Sequence, residues 1–92
     1  MNFLHSSFNG GQEHVALVTL DAQANVMLLD DVSFHAYREG RPFSYHGGWA
    51  TQSPVRLSPP HDGSWHVVID MGDRSGTLKA SVRILRRWAR EG

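Results

Sequence analysis

Cysteine is absent from this 92-residue chain. That excludes disulfide frameworks, thiolate zinc sites and cysteine nucleophiles together. Net charge is absent as well: 9 Lys and Arg balance 9 Asp and Glu, which removes the overall electrostatic footprint of a nucleic-acid binder. No apolar run approaches the roughly 20 residues that a membrane-spanning helix needs. The opening MNFLH has no basic segment leading into an apolar stretch, so a secretory signal is not expected and the expected location is cytoplasmic. The length is that of one domain. A core of this size runs only just ahead of chain entropy, and pairing of an edge strand in a homodimer would help it.

The zero conceals an asymmetry. Through residue 62, six acids face three bases, a net of −3; from residue 63, six bases face three acids, a net of +3. Arg83, Arg86, Arg87 and Arg90 crowd the end. Such a stretch, with Trp88 among the arginines, suits an anionic partner through stacking and phosphate contact. A solvated or frayed tail, or docking of Leu85, Trp88 and Ala89 as one helical face, is the simpler reading.

Most of the chain reads as short strands. Residues 5–12, HSSFNGGQ, read as turn. HVALVTL at 14–20 and NVMLL at 25–29 are β-branched and apolar on both faces. That pattern predicts strands that are central or covered by a second layer, and their spacing predicts an antiparallel hairpin. At 30–40 the sequence predicts a helix of one to two turns. Asp31 or Ser33 would cap it, Val32, Phe34 and Tyr37 would form its apolar side, and Gly40 would stop it. FSYH at 43–46 alternates, placing Phe43 and Tyr45 opposite Ser44 and His46, until Gly47-Gly48 breaks the pattern. Pro54 limits 53–58 to a strand start or an edge. SWHVVIDM at 64–71 is the clearest strand, and 77–85 alternates strongly, predicting a second hairpin. The expected core is Val15, Leu17, Val26, Leu28, Val55, Leu57, Trp65, Val67, Ile69, Leu78, Ala80, Val82 and Ile84.

Five to seven short antiparallel strands with one short helix predict an all-β fold, a small β-sandwich or partly open barrel. The expected division is a sandwich over residues 1–85 and a basic tail over 86–92.

Several segments resemble one bacterial family: MNFLH at 1–5, NVMLLD at 25–30, YHGG at 45–48, SPVRL at 53–57, GSWHVVID at 63–70 and SVRI at 81–84. The chain resembles the domain of unknown function 1883 family from its start to about Leu85, and departs from it at Trp49, Trp88 and the arginine-rich end. The resemblance implies a small all-β domain, found alone or attached to other modules, sometimes beside TIR-type signalling domains. It implies no reaction.

Six histidines, His5, His14, His35, His46, His61 and His66, raise the question of a metal. No pair has the helical spacing of a zincin and HExxH is absent. His66 shares a strand face with Asp70, but about 13 Å away. No metal or other cofactor is expected. No serine sits in a GxSxG elbow, and the adjacent Asp30 and Asp31 would point apart on a strand. No catalytic residue is therefore assigned, and the chain is expected not to be an enzyme.

What remains is binding. Tyr45, His46 and Trp49 surround Gly47 and Gly48, so aromatic surface lies beside open backbone amides. With Arg41, Arg56 and His66 they make the candidate ligand-binding set. Arg83, Arg86, Arg87 and Arg90 make the candidate basic contact. The expected function is a non-enzymatic module that engages a protein partner or itself through an edge strand and residues 45–49. The alternatives are a sensor of an anionic or nucleotide-like small molecule in bacterial signalling or defence, and contact with nucleic acid through the basic end.

Overall fold

Alternating apolar and polar residues place one face of a strand in a core and the other outward. In a computed structural model that describes residues 3–72 and 78–86, this pattern resolves into seven strands and one helix. They are β1 (Phe3–Gly10), β2 (His14–Leu20), β3 (Ala24–Asp30), α1 (Asp31–Arg38), β4 (His46–Ala50), β5 (Val55–Leu57), β6 (Gly63–Asp70) and β7 (Ala80–Arg86). One antiparallel sheet has the order β1-β6-β3-β4 and the other β5-β2-β7. The fold is a small all-β sandwich without a closed barrel. No helix among the described residues is long and apolar enough to cross a membrane.

The sandwich core lies between the sheets. Ala16 and Val18 of β2 meet Ala24, Val26 and Leu28 of β3 and Trp65, Val67 and Ile69 of β6. Leu78, Ala80, Val82, Val55 and Leu57 pack around them. A second apolar cluster covers the outer face of the four-stranded sheet, where Phe34 and Tyr37 of α1 sit on Met27, Leu29 and Val68. This double cover explains why β3 is apolar on both faces.

Four features of the strands differ from the sequence reading. Neither hairpin forms: β2 pairs with β5 and β7, while β3 and β6 pair with each other in the opposite sheet. The connections after β2 and β6 therefore cross between sheets. Residues 5–10 are strand rather than turn, because all eight residues of β1 find partners along β6. The inward face of β2 is that of Ala16 and Val18, with Leu17 half-buried on the other face. Ile84 remains 37% exposed at the end of β7.

The helix is as short as expected, with a shifted cap. Asp30, in extended conformation, accepts a hydrogen bond from Ser33 N at 2.8 Å and so satisfies one orphan donor of the first turn. Beyond the C-cap at Glu39, Gly40 adopts φ +74°, the left-handed conformation that glycine takes readily. The buried side of the helix is Phe34, Ala36 and Tyr37; Val32 is 78% exposed.

Candidate functional site

The β1–β6 register sets His5 opposite Val68 and His66 opposite Ser7. Both histidines therefore stand on the outer sheet face, beside α1. Asp31, the first residue of that helix, comes down onto the same spot. Asp31 Oδ1 lies 2.5 Å from His66 Nε2, and His66 Nδ1 lies 2.8 Å from His5 Nε2. Three elements thus supply one hydrogen-bonded chain, Asp31–His66–His5.

Phe34, one turn along α1 from Asp31, holds the rings in place. Its ring stacks on His66 at 4.3 Å and 7° and on His5 at 4.2 Å and 20°. The guanidinium of Arg38 lies over the same phenyl ring, 5.8 Å from its centre. His66 is nearly enclosed, with 13% of its side chain exposed, whereas Asp31 and His5 reach solvent. The hydrogen bond from His66 holds the Asp31 carboxyl below its ordinary value, with a smaller contribution from Ser64. Partial burial, then the neighbouring His66 and Arg38, push His5 below 6.5.

The bonding pattern fixes the tautomers when both rings are neutral. An ionised Asp31 only accepts, so His66 Nε2 carries the hydrogen and its Nδ1 is a bare acceptor. His5 must then donate through Nε2. Its Nδ1 is left as a lone pair with no protein partner among the described residues.

A second polar contact ties the other end of α1 to β6. The Tyr37 hydroxyl donates to the Asp70 carboxylate, which also accepts from Gly72 N at 2.6 Å. Burial, then the Asp70 hydrogen bond, raise Tyr37 well above its ordinary 10.0. Phe3 and Phe43 meet its ring edge-on, at 5.2 and 5.3 Å. His66 and Asp70 of β6 thus each serve a different residue of the helix.

The segment at 45–49 lies elsewhere, at the β4 edge of the four-stranded sheet. Tyr45 is 45% and Trp49 55% exposed. His46 lies near Trp65, with 6.1 Å between ring centres. Gly47 has φ +111° and passes so close to β3 that a Cβ there would stand 2.2 Å from the Val26 carbonyl oxygen; Gly48 has φ +152° and open space around it. A shallow, open groove runs past Gly47, Gly48, Trp49, Thr51, Pro54 and Val55.

The expected ligand set is therefore dispersed. Tyr45, His46, Gly47, Gly48 and Trp49 stay together, but His66 belongs to the Asp31 chain on the α1 face. Arg41 pairs with Glu39 at 2.6 Å in the turn after α1. Arg56 stands on the outer face of the three-stranded sheet, beside Leu17, and Arg83 flanks Leu17 from the opposite side. Arg86 faces Glu13 at 3.7 Å. Arg87 and Arg90 lie outside the described residues. Asp31 and His5 are absent from the sequence-based set. Asp31 has a sufficient explanation as a helix cap, and His5 stands in a segment that reads as turn.

No group of three or more His, Asp or Glu suited to a metal occurs among the described residues. No curated protein and no solved structure matches the chain. A family model does match, over residues 1–88, somewhat beyond the stretch that carries the motifs. The chain accordingly belongs to the DUF1883 family, a domain of unknown function.

Proposed function

We propose that this domain is a non-enzymatic interaction module that receives an extended segment of a protein partner along the β4 edge. The observation that carries this reading is the character of that edge. Proteins guard exposed edge strands with charge, proline or cover. Among the described edges, β5 has only three residues and follows Pro54, β7 carries Arg83 and Arg86, and β1, FLHSSFNG, is uncharged like β4 but has no Trp or Tyr to lie against an added strand. β4, HGGWA, holds no Lys, Arg, Asp, Glu or Pro and sets an exposed Trp49 beside its unpaired side. An added strand gains main-chain hydrogen bonds there, and Tyr45 and Trp49 supply amphipathic contact area.

The test is peptide selection against the full chain, followed by affinity measurement of the winners. Extended, apolar-flanked peptides are expected. Their affinity should fall by roughly tenfold or more with Trp49→Ala and with backbone N-methylation at alternate peptide positions. Winners that tolerate every N-methyl group and the Trp49 change would refute strand addition at β4. Sedimentation of the free chain distinguishes a second copy as the occupant.

A further inference from the structure

We propose that His5 Nδ1 is a phosphoryl-acceptor nitrogen, primed by the His66–Asp31 pair. The site lies on the α1 face, at the β1 edge of the sheet, and does not depend on the reading of β4.

Five observations converge. His5 is exposed, so a donor can reach it. Its Nε2 is engaged by His66 at 2.8 Å, which leaves Nδ1 as the one nitrogen able to attack. The Asp31–His66 pair stands where a catalytic dyad stands behind a nucleophile, with the carboxylate orienting the first imidazole and that imidazole facing the second. Stacking on Phe34 holds both rings at fixed angles. Partial burial, then the nearby His66 and Arg38, disfavour the protonated form of His5, which would have no lone pair to attack with.

The chemical class of donor is a reactive phosphoryl compound, an acyl phosphate or a phosphoramidate. His5 Nδ1 attacks phosphorus and an N–P bond forms. The bond from phosphorus to the leaving group breaks, and the carboxylate, or ammonia from zwitterionic phosphoramidate, departs with the electron pair. The ring would be left cationic. The Nε2 proton of His5 passes to His66 Nδ1, and the imidazolium so formed lies against the Asp31 carboxylate. The new phosphoryl oxygens carry negative charge, and Arg38, whose guanidinium lies over the Phe34 ring on which His5 stacks, adds a cation to the same cluster. Arg38 makes no ion pair among the described residues and is available to hold that charge.

The experiment incubates the full chain with phosphoramidate. It follows the gain of one phosphoryl group by intact mass and locates it by fragmentation at alkaline pH, where phosphohistidine survives. One histidine of the six should react first, and it should be His5, at Nδ1. Asp31→Asn, which keeps size and shape, should slow that phase by roughly a hundredfold, the lower end of what a general base contributes. His5→Gln should abolish it. Circular dichroism checks that each variant is folded. A measurement on the unaltered chain needs no variant: long-range proton–nitrogen correlation spectra should show the hydrogen on Nε2 of both His5 and His66. Even modification of all six histidines, attachment at Nε2, or an Nδ1–H on resting His5 would overturn the proposal.

Discussion

Replacing Gly47 by alanine should cost far more than the same change one residue later. Two terms act at Gly47. A non-glycine residue at φ +111° is held in a sparsely populated backbone region, at a cost of about 1–3 kcal/mol. The new Cβ would also stand 2.2 Å from the carbonyl oxygen of Val26, so β4 must move away from β3. Forced displacement of this kind costs about 1–3 kcal/mol more. Gly48 carries only the first term, because nothing lies within 4 Å of the place its new methyl group would take. The expected losses are about 2–6 kcal/mol for Gly47→Ala and about 1–3 for Gly48→Ala. A domain of this size holds roughly 5–14 kcal/mol in total, so the first variant loses a large share of its stability. Urea unfolding read by tryptophan fluorescence measures both, with the slope unchanged if only the native state is affected. Equal losses, or a milder effect at Gly47, would refute the close approach of β4 to β3.

Further outcomes follow from the same geometry. Phe34→Ala should destabilise by about 3–5 kcal/mol, because Phe34 is 5% exposed and supports both histidine rings, whereas Val32→Ala, at a 78% exposed site on the same helix, should stay within about 0.5 kcal/mol. Tyr37→Phe keeps the ring contacts and removes the hydrogen bond to Asp70; about 1.5–3 kcal/mol should be lost in urea unfolding, and with it the alkaline dependence. That dependence has a definite sign. The folded chain holds the Tyr37 proton more tightly than the unfolded chain, so stability declines as pH rises past 10.0. On the acid side, the unfolded chain binds the His5 proton first, so thermal stability should begin to fall as pH drops below 6.5 and continue to His5's lowered value. The Asp31 contribution, present above 3.8, disappears at still lower pH. His5→Gln should flatten the first of these two steps.

Local structure is more legible in the sequence than partnership. HVALVTL specifies β2 at 14–20 because its residues after His14 are all apolar or β-branched, and the alternation of SWHVVIDM specifies β6 almost as closely. Alternation does not say which strand lies alongside. The three residues between β2 and β3 suffice either for a hairpin turn or for a step to the facing sheet, and the chain takes the step. β1 is hard to read because an edge strand with a polar outer face, HSSFNG, lacks the apolar density that marks a buried strand. The helix stripe is ambiguous for a related reason. In two turns, Val32 and Ala36 are both plausible neighbours of Phe34; with Phe34 and Tyr37 packed on Met27 and Leu29, Ala36 is buried and Val32 exposed. The Asp31–His66–His5 chain is the least legible feature. Its members are separated by 35 and 61 positions, and only the β1–β6 register and the docking of α1 bring them together. The segment at 45–49 is legible as an aromatic, glycine-bearing break, but its position on a sheet edge is a property of strand order.

The proposal that β4 is a receiving edge is tested most directly by nuclear Overhauser contacts within a complex of the full chain and a selected peptide. Strand addition predicts cross-strand contacts between backbone protons of an extended peptide and residues 46–50, together with contacts from peptide side chains to the Trp49 ring. A peptide that contacts the α1 face or the outer face of β5-β2-β7, with no backbone contact to β4, would contradict it.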